Sequence, residues 1–576
     1  MAAHAEGGTT AGAQRGVPVL ERALATSFVP GTNRRGAVPG GAWTLLLDTL
    51  EPGHVVCLGV PPERTLQTLG RRARSVSVVC ADGAAGRHAR RAVDRAGVAN
   101  ATAIGIAEAR ALADVALSVV TGRAWARRAA ADPDLAALLG RSDAVYAQLG
   151  PGGARLERRL TAFRPARPLW LGVRGSEVEL VAGQDDAAAI AMLRGPAAAA
   201  ARTARGRARA LARQIVRGRV TGRRGLLAGT GAGDTADTAL PVPAYLRQIA
   251  AAAGADVEDC RVALTAPADY PSRKAVMFLL PRGAGSPRFV VKLTRDPAFN
   301  DRLENEGRAL RALAAAGVGD ADTVPRHAFA GHPGALALLG QTAIAGEPFR
   351  RRTTATPDCP FARAGTEWLL GLGVATADRG VAGPADVAQA LGTLLDRFAA
   401  LYRPTAAEHE VLRAQVDAVA RSAEPFPLVL QHGDPGTWNL LVTAPGRPAF
   451  LDWEAAEPHG MPLWDLFHFA RSVGVGVARA GGTRSALDAF AEQYLSDAPL
   501  SRTLARDVEA HCAAIGLDRE LVGPLFLTCW MHRALKEAMR LTPATLAGGT
   551  YVTLLRCCLA RADAPGLIRL YGRAAS

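Results

Sequence analysis

Two carboxylates and an amide follow one another at short spacing in the C-terminal part of the chain. Asp434 lies in the run Gln431-His432-Gly433-Asp434, Asn439 comes five residues later, and Asp452 comes thirteen residues after that. The apolar runs before Asp434 and Asp452 predict strands that each end in a loop. In phosphoryl transfer from ATP, one carboxylate orients the attacking hydroxyl and takes its proton, while a second carboxylate and an amide oxygen hold Mg²⁺. The spacing is therefore typical of a site for that chemistry.

The same residues resemble a known signature. His432-Gly433-Asp434 with Asn439, followed by Asp452-Trp453-Glu454, is similar to the motifs of aminoglycoside phosphotransferases. Their relatives include choline, ethanolamine, homoserine and methylthioribose kinases, which share the protein-kinase-like fold. The resemblance covers roughly residues 245 to 560. It implies that Asp434 is the catalytic base, that Asn439 and Asp452 bind Mg²⁺, and that His432 supports the loop.

A second motif follows downstream. The run from Gly460 to Leu466 matches the family's Gly-x-Pro-x-x-Asp-Leu segment. The resemblance implies that Asp465 braces the catalytic loop and does not touch the substrate. His459 and His468 flank this segment. We interpret both as packing or hydrogen-bonding residues, with a catalytic role as the alternative. Trp438 and Trp453 are expected to pack the hairpin, with a place in an acceptor pocket as the alternative.

An ATP-binding lysine is expected upstream. Lys292 ends the apolar strand Phe289 to Leu293, and the helix predicted from about Asn300 to Ala315 carries Glu304 and Glu306. This fold needs a lysine on the α- and β-phosphates, held by a carboxylate of the next helix. We assign Lys292 to the phosphates and Glu306 to the lysine, with Glu304 as the alternative partner. The turn from 265 to 274 has no glycine, so a backbone contact to phosphate near Ser272 is expected in its place.

Lysine is scarce in this chain. Lys274, Lys292 and Lys536 are the three lysines, although Lys and Arg together number 68. Because an Arg-for-Lys bias usually reflects genome composition, each remaining lysine is informative. From residue 351 onward there are 22 Lys+Arg and 23 Asp+Glu, so the net charge of +15 belongs to the front of the chain. The near-neutral balance after 351 argues against a polycationic acceptor.

The front of the chain predicts a different fold. Strands at His54 to Gly59, Ser75 to Ala81 and further along alternate with helices, which indicates a parallel, doubly wound, Rossmann-like sheet. The start resembles a class I S-adenosylmethionine-dependent methyltransferase, with Asp82 at the position of the ribose ligand. In the loop that approaches the cofactor in that family, only Gly59 remains and two prolines follow it. We therefore expect a degenerate domain.

The predicted organisation is α/β followed by α+β. Its parts are a flexible leader (1–40), the Rossmann-like domain (41–192), an Arg-rich linker (193–240) and a bilobal kinase domain (241–576), whose small lobe spans 241–345 and whose helical lobe spans 346–576. Ten arginines and no acidic residue lie between Arg194 and Arg224. This segment is expected to be a solvated linker, with contact to an anionic surface as the alternative. Nucleic-acid binding is not expected, because no aromatic residues alternate with these arginines.

The sequence as a whole predicts an ATP- and Mg²⁺-dependent phosphotransferase that acts on a hydroxyl of a small molecule such as a sugar, alcohol or antibiotic. Scattered cysteines, with no signal peptide or apolar span in view, predict a cytoplasmic location. Two alternatives stay open. One is a bifunctional methyltransferase–kinase, and the other is a non-catalytic binding protein on a kinase fold. The acceptor and the oligomeric state stay undetermined.

Overall fold

The computed structural model describes residues 39–81, 83–149, 153–163, 165–194, 220–229, 239–267, 270, 272–422, 425–483 and 485–572. These residues form two compact units. The sheet unit comprises the described residues of 35–303 and 327–343, and the helical unit comprises those of 304–326 and 344–576. All but the last two residues of the predicted leader, most of the Arg-rich linker, and Asp82 lie outside the described residues.

The sheet unit is built on one mixed sheet of thirteen strands. In chain order the strands are β1 His54–Leu58, β2 Ser75–Val79, β3 Ala101–Ile104, β4 Leu117–Val120, β5 Ala144–Leu149, β6 Ala166–Arg174, β7 Glu177–Gly183, β8 Val220–Ala228, β9 Cys260–Thr265, β10 Ala275–Pro281, β11 Phe289–Leu293, β12 His327–Gly331 and β13 Leu338–Thr342. Their order across the sheet is β12-β13-β11-β10-β9-β7-β6-β8-β5-β4-β1-β2-β3.

The first five strands form a parallel half in the order β3-β2-β1-β4-β5. Strand β1 reads His-Val-Val-Cys-Leu and is buried along nearly its whole length, as expected for a parallel strand covered on both faces. Helices connect these strands: α1 Glu63–Arg72, α2 Ala84–Ala96, α3 Ile106–Arg110, α4 Arg123–Ala131 and α5 Pro133–Arg141. Parallel strands therefore alternate with helices in this part of the chain.

The remaining strands pair antiparallel. Strand β8 lies between β5 and β6, and β7 pairs with β9 through Leu180 and Val181. Strand β8 falls inside the segment predicted as a linker. Its first half is mainly exposed and carries two arginines, while its last four residues are buried. The predicted linker thus contains a strand whose arginines lie at its exposed end. Three helices complete this unit: α6 Ala154–Phe163, α7 Ala187–Arg194 and α8 Ala244–Ala252.

The helical unit contains most of the remaining helices. After α9 Asn300–Ala315, which crosses the boundary of the units along the chain, come α10 Pro360–Thr376, α11 Pro384–Tyr402, α12 Ala406–Ala420, α13 Trp464–Ala480, α14 Ala486–Phe490, α15 Pro499–Ile515, α16 Val522–Ala538, α17 Thr550–Leu559 and α18 Pro565–Tyr571. Short strands lie between them: β14 Glu347–Pro348, β15 Val429–Gln431, β16 Leu440–Val442, β17 Pro448–Phe450 and β18 Glu457–Gly460. The mixed α/β class predicted from the sequence is confirmed.

Helix α16 is the central element of the helical unit. Fifteen of its seventeen residues are buried, including Phe526 and Trp530, which pack edge to face. A helix that is apolar on nearly all sides belongs in a core, and α16 contacts α11, α12, α13 and α17. In the described part of the chain, no helix is long and apolar enough to cross a membrane.

Candidate active site

The turn that carries Asp434 requires a glycine. Strand β15 ends at Gln431, and Gly433 then adopts a left-handed φ of 74°. A Cβ atom at Gly433 would lie 1.8 Å from the carbonyl oxygen of Ala455. Any side chain there would therefore push the loop away from the segment that follows Asp452.

Asp465 accepts hydrogen bonds from the backbone of this turn. Its two carboxylate oxygens accept the backbone N–H groups of His432 and Gly433, at 2.5 Å and 3.0 Å. Burial raises the pKa of Asp465, although the neighbouring His432 and Arg533 and these two N–H groups act in the opposite direction. The bonds place Asp465 on the backbone of the loop, which is the position that its motif implied.

His432 links the turn to the hairpin. Its ring is fully buried, its Nε2 donates to the carbonyl of Leu451 at 3.0 Å, and its Nδ1 accepts the N–H of Asp434 at 3.3 Å. These partners fix the neutral tautomer with the proton on Nε2. Burial also lowers the pKa of His432. The ring therefore links the backbone of Asp434 to that of Leu451.

Four donors surround the Asp434 carboxylate. One oxygen, Oδ1, accepts from His468 Nε2 at 3.2 Å and from Arg533 Nη1 at 3.3 Å. The other, Oδ2, accepts from Trp438 Nε1 and from Asn439 Nδ2, both at 3.3 Å. About a third of the Asp434 side chain remains exposed. The carboxylate is thus fixed in orientation but accessible from outside.

Asp434 is ionised at any ordinary pH. Burial acts to raise its pKa, but the hydrogen bond from His468 and the charges of Arg533 and Lys536 outweigh burial and hold the pKa well below the usual range. His468 itself is neutral, because burial lowers its pKa to about 3. A permanently ionised carboxylate is a constant hydrogen-bond acceptor for a substrate hydroxyl, and it is a weak base until proton transfer is well advanced.

Asn439 and Asp452 lie on adjoining parts of the hairpin. Asn439 ends the short helix Thr437–Asn439, and its carbonyl accepts the N–H of Leu451, the residue before Asp452. The Asn439 amide nitrogen donates to Asp434, so its side-chain oxygen is the atom left for a metal. Asp452 has a left-handed φ of 67° at the start of the short helix Trp453–Ala455. Both side chains supply oxygen, the ligand type that Mg²⁺ prefers.

This pair fits a metal held jointly with phosphate. No group of three or more His, Cys, Asp or Glu side chains suited to a metal occurs among the described residues. Magnesium commonly keeps several waters and takes one or two carboxylates together with substrate phosphates. One carboxylate and one amide oxygen are compatible with that mode of binding.

The remaining predicted nucleotide residues lie in two different elements. Lys292 is 7% exposed on strand β11, between Val276 of β10 and Leu339 of β13. On helix α9, Glu306 is fully buried, whereas Glu304 is partly exposed and lies 4.0 Å from Arg308. Their roles toward a nucleotide stay predictions.

Ser272 lies half-buried in the turn between β9 and β10, where residues 268, 269 and 271 are outside the described part. Its predicted contact to phosphate stays untested.

Sequence reasoning missed two cations of helix α16. Arg533 bonds Asp434 from 99 residues away along the chain, and Lys536 Nζ donates to the carbonyl of Gly433 at 3.4 Å. Burial and the charge of Arg533 lower the pKa of Lys536 to about 8, although Asp434, Glu457 and Asp465 raise it. The scarcity of lysine was the signal that marked Lys536 in the sequence.

The two tryptophans of the motif differ. Trp453 is fully buried, its ring lies 4.3 Å from that of His432 at a tilt of 42°, and its Nε1–H donates to the carbonyl of Phe450. Trp438 is 56% exposed and donates to Asp434. Trp453 therefore packs the hairpin as expected, and Trp438 lies at the open side of the site. His459 lies half-buried on strand β18.

The loop after strand β1 in the sheet unit is crowded. Gly59 has a φ of 91°, and a Cβ atom there would lie 2.5 Å from Trp125 Cδ1 and 2.9 Å from the carbonyl oxygen of Thr121. This glycine thus allows close packing against the chain's own residues. The expected resemblance to a methyltransferase is not confirmed.

Comparison with known proteins identifies part of the chain. Residues 275–505 match the model of the phosphotransferase enzyme family, which confirms the resemblance indicated by the motifs. No curated protein matches the chain significantly. Similar solved structures include an aminoglycoside-3'-phosphotransferase of type VIII, at 20% identity over 36% of this chain and 80% of that chain, with a TM-score of 0.24.

Two further similar structures are an ethanolamine kinase and a choline kinase. The ethanolamine kinase of Plasmodium vivax is 13% identical over 52% of this chain and 81% of that chain, with a TM-score of 0.32. The choline kinase LicA from Streptococcus pneumoniae is 12% identical over 49% of this chain and 89% of that chain, with a TM-score of 0.25.

Proposed function

We propose that this chain is an ATP- and Mg²⁺-dependent phosphotransferase that transfers the γ-phosphoryl group to a hydroxyl of a small molecule. The observation that carries the proposal is the Asp434 carboxylate, which is held by four donors, ionised, and accessible, within a segment that matches the phosphotransferase enzyme family. Phosphoryl transfer depends chiefly on positioning and electrostatics, and this arrangement provides both.

Asp434 orients the acceptor in this proposal. Its carboxylate accepts the hydrogen of the attacking hydroxyl, so that the oxygen points at the γ-phosphorus. The new bond joins the acceptor oxygen to phosphorus, while the bond from phosphorus to the bridging oxygen of ADP breaks and its electron pair stays on ADP. The hydroxyl proton passes to Asp434 late in the reaction and then to solvent, because the carboxylate is a weak base.

The hairpin supplies the residues for the metal and the nucleotide. Asp452 and the side-chain oxygen of Asn439 would hold Mg²⁺, which neutralises charge on the phosphates when bound. We further propose that Lys292 binds the α- and β-phosphates, that Glu306 orients this lysine, and that Ser272 contacts phosphate. Lys292 is nearly buried, so its charge would act in a partly desolvated environment.

A nucleotide-binding experiment tests the proposal. Melting temperatures are measured for the full chain with Mg-ATP, with ATP and a chelator, and with S-adenosylmethionine, because a ligand that binds only the folded state raises the melting temperature. We expect a rise with Mg-ATP that the chelator abolishes. Asp452→Ala should lose that rise, and the exposed control Asp563→Ala should keep it.

Other outcomes would change the assignment. If millimolar Mg-ATP leaves the melting temperature unchanged, the chain is a binding protein on a kinase fold and the proposal is wrong. If Asp452→Ala responds to Mg-ATP like the wild type, the metal is held elsewhere. A rise with S-adenosylmethionine would establish the bifunctional alternative.

A further inference from the structure

The open side of the candidate active site presents a fixed aromatic surface. The indole of Trp438 lies against Gly436 so closely that a Cβ atom there would be 2.2 Å from Trp438 Cζ2. The ring also meets His468 edge to face, with centroids 5.7 Å apart, and its N–H is bonded to Asp434. Although the ring is held from these sides, 56% of the residue is exposed. A rigid, half-exposed indole beside the reacting carboxylate is a preformed surface for a ring-shaped ligand.

Two cations stand beside this surface. Arg533 is 9% exposed, and its one hydrogen bond within the described residues goes to Asp434. Lys536 lies three residues later on the same helix. Of the three hydrogens on its ammonium, the described part of the chain engages one, through the long bond to Gly433. One of the three lysines in this 576-residue chain thus lies at the candidate site, and its ammonium has hydrogens that can bind an anionic group.

The carboxylates around these cations are committed to other groups. Asp465 accepts from the turn, and Glu537 of α16 accepts the N–H of Tyr551 of α17. Glu457 of β18 has its pKa raised to about 7 by burial, so its negative charge is incomplete at neutral pH.

A third cation lies nearby on helix α13. The guanidinium of Arg471 lies 5.1 Å from the centroid of the Tyr551 ring, and Tyr551 in turn lies 6.0 Å from His468. A positively charged acceptor would therefore approach three cations. The ionised Asp434 would attract it, but this carboxylate is already paired with Arg533, so the balance of charge favours an anionic acceptor over a cationic one.

We propose that the acceptor is a sugar or cyclitol that carries a phosphate or carboxylate group, with its ring on Trp438 and its anionic group on Lys536. This inference rests on the proposed function. The attacking hydroxyl donates to Asp434 Oδ2, the carboxylate oxygen beside the exposed indole, in addition to the bond from the indole N–H. Ring stacking, anion binding and hydroxyl orientation then fix the acceptor at three points. An anionic acceptor of this kind excludes amino sugars and quaternary ammonium alcohols as preferred acceptors.

Binding of matched probes tests the inference. Equilibrium dissociation constants are measured on the full chain, with a non-hydrolysable ATP analogue and Mg²⁺, for glucose 1-phosphate, glucuronate, glucose and glucosamine. These probes share one ring and differ mainly in charge. We expect the two anionic probes to bind at least about tenfold more tightly than glucose, and glucosamine to bind most weakly.

Variants assign the effect to named residues. Lys536→Met should remove the preference for the anionic probes over glucose, measured as the ratio of their dissociation constants, and Lys536→Arg should restore most of that preference. Trp438→Ala should weaken all the probes alike. Arg540→Met removes a positive charge just beyond the end of α16 and serves as the control, which should behave like the wild type. Melting temperatures of all variants establish that they are folded.

The results separate this inference from the proposed function. If the chain binds Mg-ATP but glucosamine binds as tightly as the anionic probes, the acceptor assignment is wrong and the kinase assignment stands. The acceptor assignment also fails if no anionic probe binds at millimolar concentration, or if folded Lys536→Met keeps the preference. If Mg-ATP itself does not bind, the proposed function fails first.

Discussion

Replacing Asp465 with asparagine tests how the turn that carries Asp434 is held. In the wild type the two carboxylate oxygens accept the N–H groups of His432 and Gly433. An amide keeps one oxygen and turns its NH₂ group toward the second donor. One charge-assisted hydrogen bond is lost, which costs about 1.5–3 kcal/mol, and the neutral side chain recovers part of this because it no longer buries a charge. We therefore expect the turn to lose about 2 kcal/mol of local stability.

The readout is local. Because the chain has two units, a single unfolding free energy is not well defined, whereas amide hydrogen exchange reports the opening of one segment. A loss of about 2 kcal/mol corresponds to about 30-fold faster exchange of the His432 and Gly433 amides. Since Asp434 follows directly, a shift of the turn by about 1 Å should also lower kcat about 100-fold.

A matched variant shows whether the position matters. Asp396→Asn also removes a charge-assisted bond, to Arg413 at 3.0 Å, but that side chain is 70% exposed. Exposed pairs contribute about 0–1 kcal/mol, so this control should keep wild-type activity and wild-type exchange at 432–433. The reasoning is refuted if Asp465→Asn exchanges and turns over like the wild type, or if both variants lose activity alike.

Two further predictions concern Gly433 in the turn and Glu457 on strand β18. Gly433→Ala should abolish most activity and lower the melting temperature, because the new Cβ atom would lie 1.8 Å from the carbonyl oxygen of Ala455. The control Gly446→Ala has a similar φ of 82° but its nearest contact is at 3.6 Å, so it should cost only the left-handed backbone strain of about 1 kcal/mol. Equal effects of the two variants would contradict the proposed clash. Burial raises the pKa of Glu457 from 4.5 to about 7, so the folded state binds its proton more tightly and stability should fall as pH rises from about 4.5 to about 7. Glu457→Gln should flatten that decline in the melting temperature, and an unchanged profile would show that Glu457 does not titrate as stated.

Much of the fold follows from local sequence patterns. The helix predicted from about Asn300 to Ala315 and the strand Phe289 to Leu293 have the predicted bounds, because each is a run of consistent apolar periodicity. Strand β8 was not predicted. Its first five residues include one glycine and two arginines and are mainly exposed, which is a composition typical of a linker. Its place in the sheet depends on pairing with the distant strands β5 and β6. Propensity carries no information about such partners.

The residues of the candidate site also fall into those that the sequence could predict and those that it could not. Asp434, Asn439 and Asp452 lie within one short segment, so their spacing could be recognised from the sequence. Arg533 and Lys536 come from α16, 99 and 103 residues away from the turn that they contact. Only the packing of α16 in the core brings them there, and no local pattern encodes that packing.

Acceptor-dependent phosphate transfer tests the central claim most directly. The full chain and Asp434→Asn are incubated with Mg-ATP and a panel of hydroxyl acceptors, and the formation of ADP and of a phosphate ester is measured by ³¹P NMR. We predict transfer by the wild type and a kcat about 10²–10⁴-fold lower in Asp434→Asn, with the Mg-ATP melting shift retained. Transfer by Asp434→Asn at the wild-type rate would contradict the assignment of this carboxylate and of the reaction proposed for it.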